Sequence, residues 1–260
     1  MSLLIASLAL GSYVVLNPVH AAGGAGKGLS PGGANEQASK PAESPPSTPA
    51  AGVVRLTNLF RTQQGRTALL PSAQLAAAAQ DFAAFMARTD QYGHNADGNE
   101  PSARAEQHGY AFCIVAENIG YQYRSGGLPE EQRAETFVEE WKNSPPHRHN
   151  MLDHDVTDIG VGLARSDKSG RWYGVQMFGL PASASHTFRI TNTSDSRVSY
   201  RLGGRTFDLA PRVTRTHENC GPEQLKFDRP RGEAVTLRPE AGQGLVIETD
   251  GSGGWRLQRK

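Results

Sequence analysis

The residues best equipped for chemistry lie in the run Trp141-Lys-Asn-Ser144-Pro-Pro-His147-Arg148-His149-Asn150-Met151-Leu152. Glu117-Asn118-Ile119 precedes it, and His94 lies further upstream in Tyr92-Gly93-His94-Asn95. Neutral imidazole and carboxylate are the side chains that hold zinc and similar divalent ions. The same groups carry protons in acid–base work. A site with His94 and His147 as direct ligands and Glu117 as a third ligand would be open, with water in the remaining positions. Glu117 could equally orient a bound water, accept the other ring proton of a histidine, or act as a general base toward a cation-activated water. A purely structural alternative is a solvated polar cluster that pins the Ser-Pro-Pro loop onto a sheet.

Other nucleophile readings find less support. Ser144 lies near His147, but no Gly-x-Ser-x-Gly elbow exists, and no His-Glu-x-x-His motif marks a metalloprotease. Cys113 sits in the apolar run Phe112-Cys-Ile-Val115 and reads as a buried, inert thiol. His149 is expected to point away from His147 on an extended segment. His154, between Asp153 and Asp155, reads as part of an exposed polar loop, and His108, His186 and His217 carry no supporting neighbours in sequence. Arg148 and Asn150 are expected to bond backbone in the loop.

Separate elements must bring these groups together. Leu56, Leu59 and Phe60 fall at helical spacing from about Val53, and Gly65 is placed to end that helix. Pro71 and Ser72 open a second helix whose Leu75, Ala79, Phe82 and Met86 mark one face. A third starts at Pro129, buries Ala134, Phe137, Val138 and Trp141, and stops before Pro145. Asp158-Ile-Gly-Val-Gly-Leu163 and Trp172 to Phe178 form a hairpin about Asp167-Lys-Ser-Gly170. Glycine at alternate strand positions marks a face where other backbone packs closely. Helices followed by a hairpin give an α+β arrangement, an antiparallel sheet covered by helices.

After Pro181 the pattern becomes short alternating strands at Phe188–Ile190, Val198–Tyr200, Phe207–Leu209, Val235–Leu237, Leu245–Ile247 and Trp255–Leu257. Gly203-Gly204 is a two-residue hairpin signal. This stretch, 181–260, is expected to be a small all-β sandwich or barrel.

Residues 1–16 are almost continuously apolar, and Val19-His-Ala21 offers a small-residue cleavage pattern. Residues 1–21 therefore read as a secretory signal peptide, too short an apolar run to span a bilayer, with an uncleaved anchor as the alternative. Residues 22–52, rich in Gly, Ala, Pro and Ser, read as a flexible tether. Export implies a secreted or periplasmic location with no transmembrane segment after cleavage. With 27 basic and 26 acidic residues and no dense cluster, the net charge of +1 gives no support to nucleic-acid binding. The two cysteines, Cys113 and Cys220, either form one disulfide across the two halves or stay as buried thiols.

Residues 53–180 resemble the CAP superfamily, also called SCP-like or PR-1-like domains, in its bacterial extracytoplasmic form. The matching features run in order from Leu56-x-x-Leu59 through Gly93-His94, Arg104, Gly109-Tyr110 and Glu117-Asn118-Ile119. They continue with Trp141-x-x-Ser144-Pro-x-His147-Arg-x-Asn150-Met-Leu, Ile159-Gly-Val-Gly162 and Tyr173-x-Val-Gln-x-Phe-Gly179. The resemblance implies a three-layer α-β-α sandwich with a large open cleft holding two histidines and two glutamates. His94, Glu117 and His147 match three of these, and Ser144 stands where the second glutamate would fall. It further implies a secreted interaction protein with a cell-envelope or host ligand, and for some relatives a lipid or sterol.

Overall fold

The computed structural model describes residues 13–15, 48–123, 129–229, 233–251 and 253–260. Most of the expected signal peptide and tether lies outside them. The described fold opens with a short strand, β1 (Tyr13–Val15), and then α1 (Pro49–Gln63). The helix begins ahead of residue 53, because the Thr48 hydroxyl accepts the Ala51 N–H at 3.3 Å and Pro49 follows at the first helical position. The expected tether boundary at 52 therefore falls inside α1.

There follow β2 (Leu70–Pro71), α2 (Ala73–Thr89, capped by the Ser72 hydroxyl), α3 (Pro101–Gln107) and β3 (Phe112–Gln122). Next come α4 (Glu130–Asn143), α5 (Pro145–Leu152), β4 (Asp158–Arg165) and β5 (Trp172–Pro181). The sheet order is β1-β3-β5-β4-β2. Side chains alternate across it. Ile114, Ala116, Ile159, Val161 and Phe178 pack beneath α1 and α4, with Phe60, Phe137 and Trp141. Val115, Ile119, Tyr173, Val175 and Met177 pack beneath α2, with Leu75, Phe82 and Met86. Two helical layers thus enclose one sheet, the three-layer sandwich that the chain resembles.

The glycine pair of β4 behaves as its spacing implies. A Cβ on Gly160 would sit 2.2 Å from the backbone N of Ala76, and one on Gly162 at 2.2 Å from that of Gln80. Helix α2 lies directly on the strand there. The expected Ser-Pro-Pro loop is instead α5. Pro145 and Pro146 occupy its first turn, where a missing N–H costs nothing, so the prolines that end α4 also start the next helix.

The C-terminal part is a sandwich of two four-stranded sheets. One contains β11 (Val235–Leu237), β10 (Leu225–Phe227), β7 (Val198–Leu202) and β8 (Arg205–Leu209), in that order. The other contains β13 (Trp255–Arg259), β12 (Gly244–Thr249), β6 (His186–Asn192) and β9 (Thr214–Asn219). Phe188, Ile190, Tyr200, Leu225, Phe227 and Ile247 from both sheets share one core. Gly203 and Gly204 turn β7 into β8, with Leu202 opposite Arg205. Strands β9 and β10 are additional to those expected.

Cys113 and Cys220 are joined as a disulfide across 107 residues. The free-thiol alternative, and with it the inert Cys113 thiol, is thereby set aside. Arg238 of the sandwich also grips Asp155 of the first domain, at 2.8 and 3.3 Å. Among the described residues no helix is long and apolar enough to cross a membrane.

A histidine pair at the sheet edge as candidate functional site

Glu117 lies on the α2 face of β3 and is fully buried. Arg104 of α3 meets it with two hydrogen bonds from one terminal nitrogen, 3.0 and 2.9 Å to the two carboxylate oxygens. The same guanidinium bonds Asp97, the carbonyls of His94 and Asn99, and lies 3.6 Å above the Phe82 ring. Arg104 thereby neutralises a buried charge and fixes the loop carrying His94. Nδ1 of His94 stands 2.7 Å from Glu117 Oε1. A carboxylate can only accept here, so Nδ1 carries the proton and Nε2 keeps its lone pair. That Nε2 is buried and has no hydrogen-bond partner.

His147 comes from the other helical layer. Helix α5 wraps the outer edge of β3, held by a chain of buried amides. Thr57 Oγ1 accepts from Gln176 (2.8 Å), and Gln176 accepts from Asn118 (3.1 Å). Asn118 also donates to the His147 carbonyl, at 3.1 Å, while Asn150 donates to Asn118 (2.9 Å) and to the Glu117 carbonyl (3.3 Å). Arg61, buried in α1, closes the far end of α5 through the carbonyls of Met151 and Asp153, both at 2.8 Å. His147 is itself buried, and neither ring nitrogen has a hydrogen-bond partner. Burial first, and the electrostatic influence of His94 second, push its imidazole down to about 4. It is neutral at physiological pH, the form that binds metals.

The remaining sequence-marked residues fall out as follows. Ser144 is buried as the joint between α4 and α5, and its carbonyl accepts the Arg148 N–H. Among the described hydrogen bonds none joins its hydroxyl to either histidine. His149 is exposed on α5, turned away by helical rather than extended geometry. Arg148 bonds the Gln64 side chain rather than backbone. His108 pairs with Asp81 at 2.9 Å, His186 with the Pro239 carbonyl at 3.0 Å and His217 with the Tyr200 hydroxyl at 2.6 Å. All three have structural partners that lie too far off in sequence to be read there.

Among the described residues, Asp153, His154 and Asp155 are the only three such side chains whose ligand atoms lie within 4.8 Å of one another. Arg238 already occupies Asp155. Arg61 and Thr57 are not marked out in the sequence, and Gln176 stands there only as part of a matching motif, with no role assigned. A lone Arg or Gln inside an apolar helix or strand pattern was the available signal, since such groups are buried only when paired.

Residues 54–178 match the sequence profile of the Cysteine-rich secretory protein family, CAP. The protein YkwD of Bacillus subtilis (strain 168), described as uncharacterized, is 30% identical over 115 residues, 44% of this chain and 42% of that one. The chain therefore spans less than half the length of that relative. The chain is also similar to solved structures, among them an outer surface protein from Borrelia burgdorferi, 19% identical over 50% of this chain and 90% of that one, with a TM-score of 0.43. An extracellular SCP-domain protein from Bacillus anthracis is 22% identical over 51% of this chain and 40% of that one, with a TM-score of 0.44. Matched by the profile and by the ordered motifs that build the histidine pair, residues 54–178 belong to the CAP family.

Proposed function

We propose that this protein is an extracytoplasmic binding module whose cleft holds a divalent cation such as zinc between His94 and His147. The observation that carries this reading is the set of buried ring nitrogens without partners, Nε2 of His94 and both nitrogens of His147. Leaving buried polar atoms unpaired costs about 1–3 kcal/mol each, so a site that keeps them invites a ligand. Such a cation would supply Lewis acidity and an anchor for a ligand oxygen. In this reading Glu117 is no direct ligand, because Arg104 and His94 already engage its oxygens. It accepts the Nδ1 proton and aims Nε2 at the cation, the usual role of a carboxylate behind a metal-bound imidazole. The same engagement counts against metal-dependent hydrolysis with Glu117 as base. The disulfide suits an oxidising compartment and supports a secreted or periplasmic location.

The partner is proposed to be a cell-envelope or host ligand. A lipid or sterol finds limited room in the groove between α1 and α4, lined by Leu56, Leu59, Phe60 and Val138. Its volume is about 170 Å³, below the roughly 300–1,000 Å³ of small-molecule pockets. Elemental analysis and titration calorimetry test the cation. One equivalent of zinc is expected for the natural protein and none for His94→Ala or His147→Ala. Affinity should drop about 10–100-fold for Glu117→Gln. Zinc retained at full stoichiometry by the double histidine variant would refute the assignment.

A further inference from the structure

The outer edge of β3 is closed unevenly. In an antiparallel strand the N–H and C=O of alternate residues point to the same side. The carbonyls of Glu117 and Ile119 point outward, where side chains cap them. Asn150 donates to the first at 3.3 Å, and Trp141 Nε1 and the Tyr92 hydroxyl each donate to the second at 3.3 Å. Val115 is the next residue in that series. Among the described hydrogen bonds, no side chain reaches its backbone. What lies opposite it is the backbone of β1, antiparallel, with Val14 facing Val115, Tyr13 facing Ala116 and Val15 facing Ile114.

Two fixed structures flank this gap. On one side stands α5 with Asn150 and His147. On the other stands the Cys113–Cys220 disulfide with Gly221, where an added Cβ would lie 3.9 Å from Ile114 Cγ1. A stretch of three residues between them is about 10 Å long. That admits a pairing segment of about three residues.

We infer that this edge, Ile114 to Ala116, is a docking site for an extended apolar peptide that pairs antiparallel to β3 beside the histidine pair. Residues 13–15 belong to the segment read as a signal peptide, and its removal leaves the Val115 N–H and C=O without partners. An open edge of this kind is completed by strand addition, in which main-chain bonds supply affinity. The register sets the direction. The residue opposite Ala116 is followed, toward the ligand's own amino terminus, by the position facing Glu117, so that end of the peptide points at α5, the helix that carries His147. The inference rests on the cleft being the binding site and on export with cleavage, and it names the ligand class.

The test uses the protein exported by its own leader, with its amino terminus fixed by mass spectrometry, and a synthetic peptide of residues 11–17. Amide exchange at Val115 is expected to be fast alone and at least ten-fold slower with the peptide. A peptide N-methylated at the residue equivalent to Val14 is expected to give no protection. Protection that persists in the His94→Ala/His147→Ala protein would support the edge even if the cation assignment fails. Four results would overturn the inference. These are equal protection by the methylated peptide, no protection at Val115, an exported chain that retains its first 21 residues, and a peptide-free dimer that protects Val115.

Discussion

Burial of His147 ties the acid–base behaviour of one ring to the stability of the whole domain. Its imidazole sits near 4 in the folded protein, while the unfolded chain returns to about 6.5. Between those values the unfolded state takes up a proton that the folded state refuses, so acid favours unfolding. Without metal, stability is expected to be flat above about pH 6.5 and to fall as pH drops toward 4. His147→Gln should fall less over the same window. Urea titrations at pH 7 and 4.5 compare the two proteins, and parallel losses would remove His147 as the cause. Arg104 gives a second expectation. Arg104→Met leaves the Glu117 carboxylate buried without a counter-charge, at a cost of about 3–5 kcal/mol. Adding Glu117→Gln to that variant should restore part of the loss, a coupling that a double-mutant cycle reads directly. His94, Glu117 and His147 were legible as chemistry-bearing types, but their arrangement was not. The role of Glu117 depends on Arg104, which lies 13 residues away, and on a hydrogen bond to His94 across 23 residues.

At the scale of elements, the close approach of α2 to β4 carries the clearest expectation. Gly162→Ala would push a methyl into the helix backbone at Gln80. Backbone cannot swing aside as a side-chain tip can, so the loss should reach at least the ~1–3 kcal/mol typical of overpacking. A midpoint in guanidinium unfolding within error of the natural protein's would show that α2 yields. The alternating glycines made this contact readable from sequence, and Ser72 and Gly65 likewise marked the start of α2 and the end of α1. Two elements were not readable, for different reasons. In α5 the double proline looks like a break, and only the partners of Arg61, Asn118 and Asn150 reveal a helix. In β9 the inward positions are His217 and Asn219, both buried, so the expected apolar alternation is missing. The aromatic ring of His217 replaces an aliphatic residue there, stacked 5.2 Å from Phe188.

For the molecule as a whole, the two halves were legible as units of different style, but not as a joined pair. Sequence allowed a disulfide or two thiols, and the choice turned on whether distant turns met. Reduction, or Cys113→Ser with Cys220→Ser, is expected to lower stability by about 2–4 kcal/mol. Differential scanning calorimetry should show the sandwich melting separately from the first domain. A single unchanged transition would mean that Arg238–Asp155 and the packing around Cys220 suffice to hold them together.

The same covalent link shapes how load would travel through the chain. Pulling on the carboxyl terminus transmits force into the first domain through the sulfur bridge at the foot of β3, as well as through the peptide that leaves β5 at Pro181. Tension on the sandwich would therefore be felt, four residues along the same strand, at the carboxylate that holds His94.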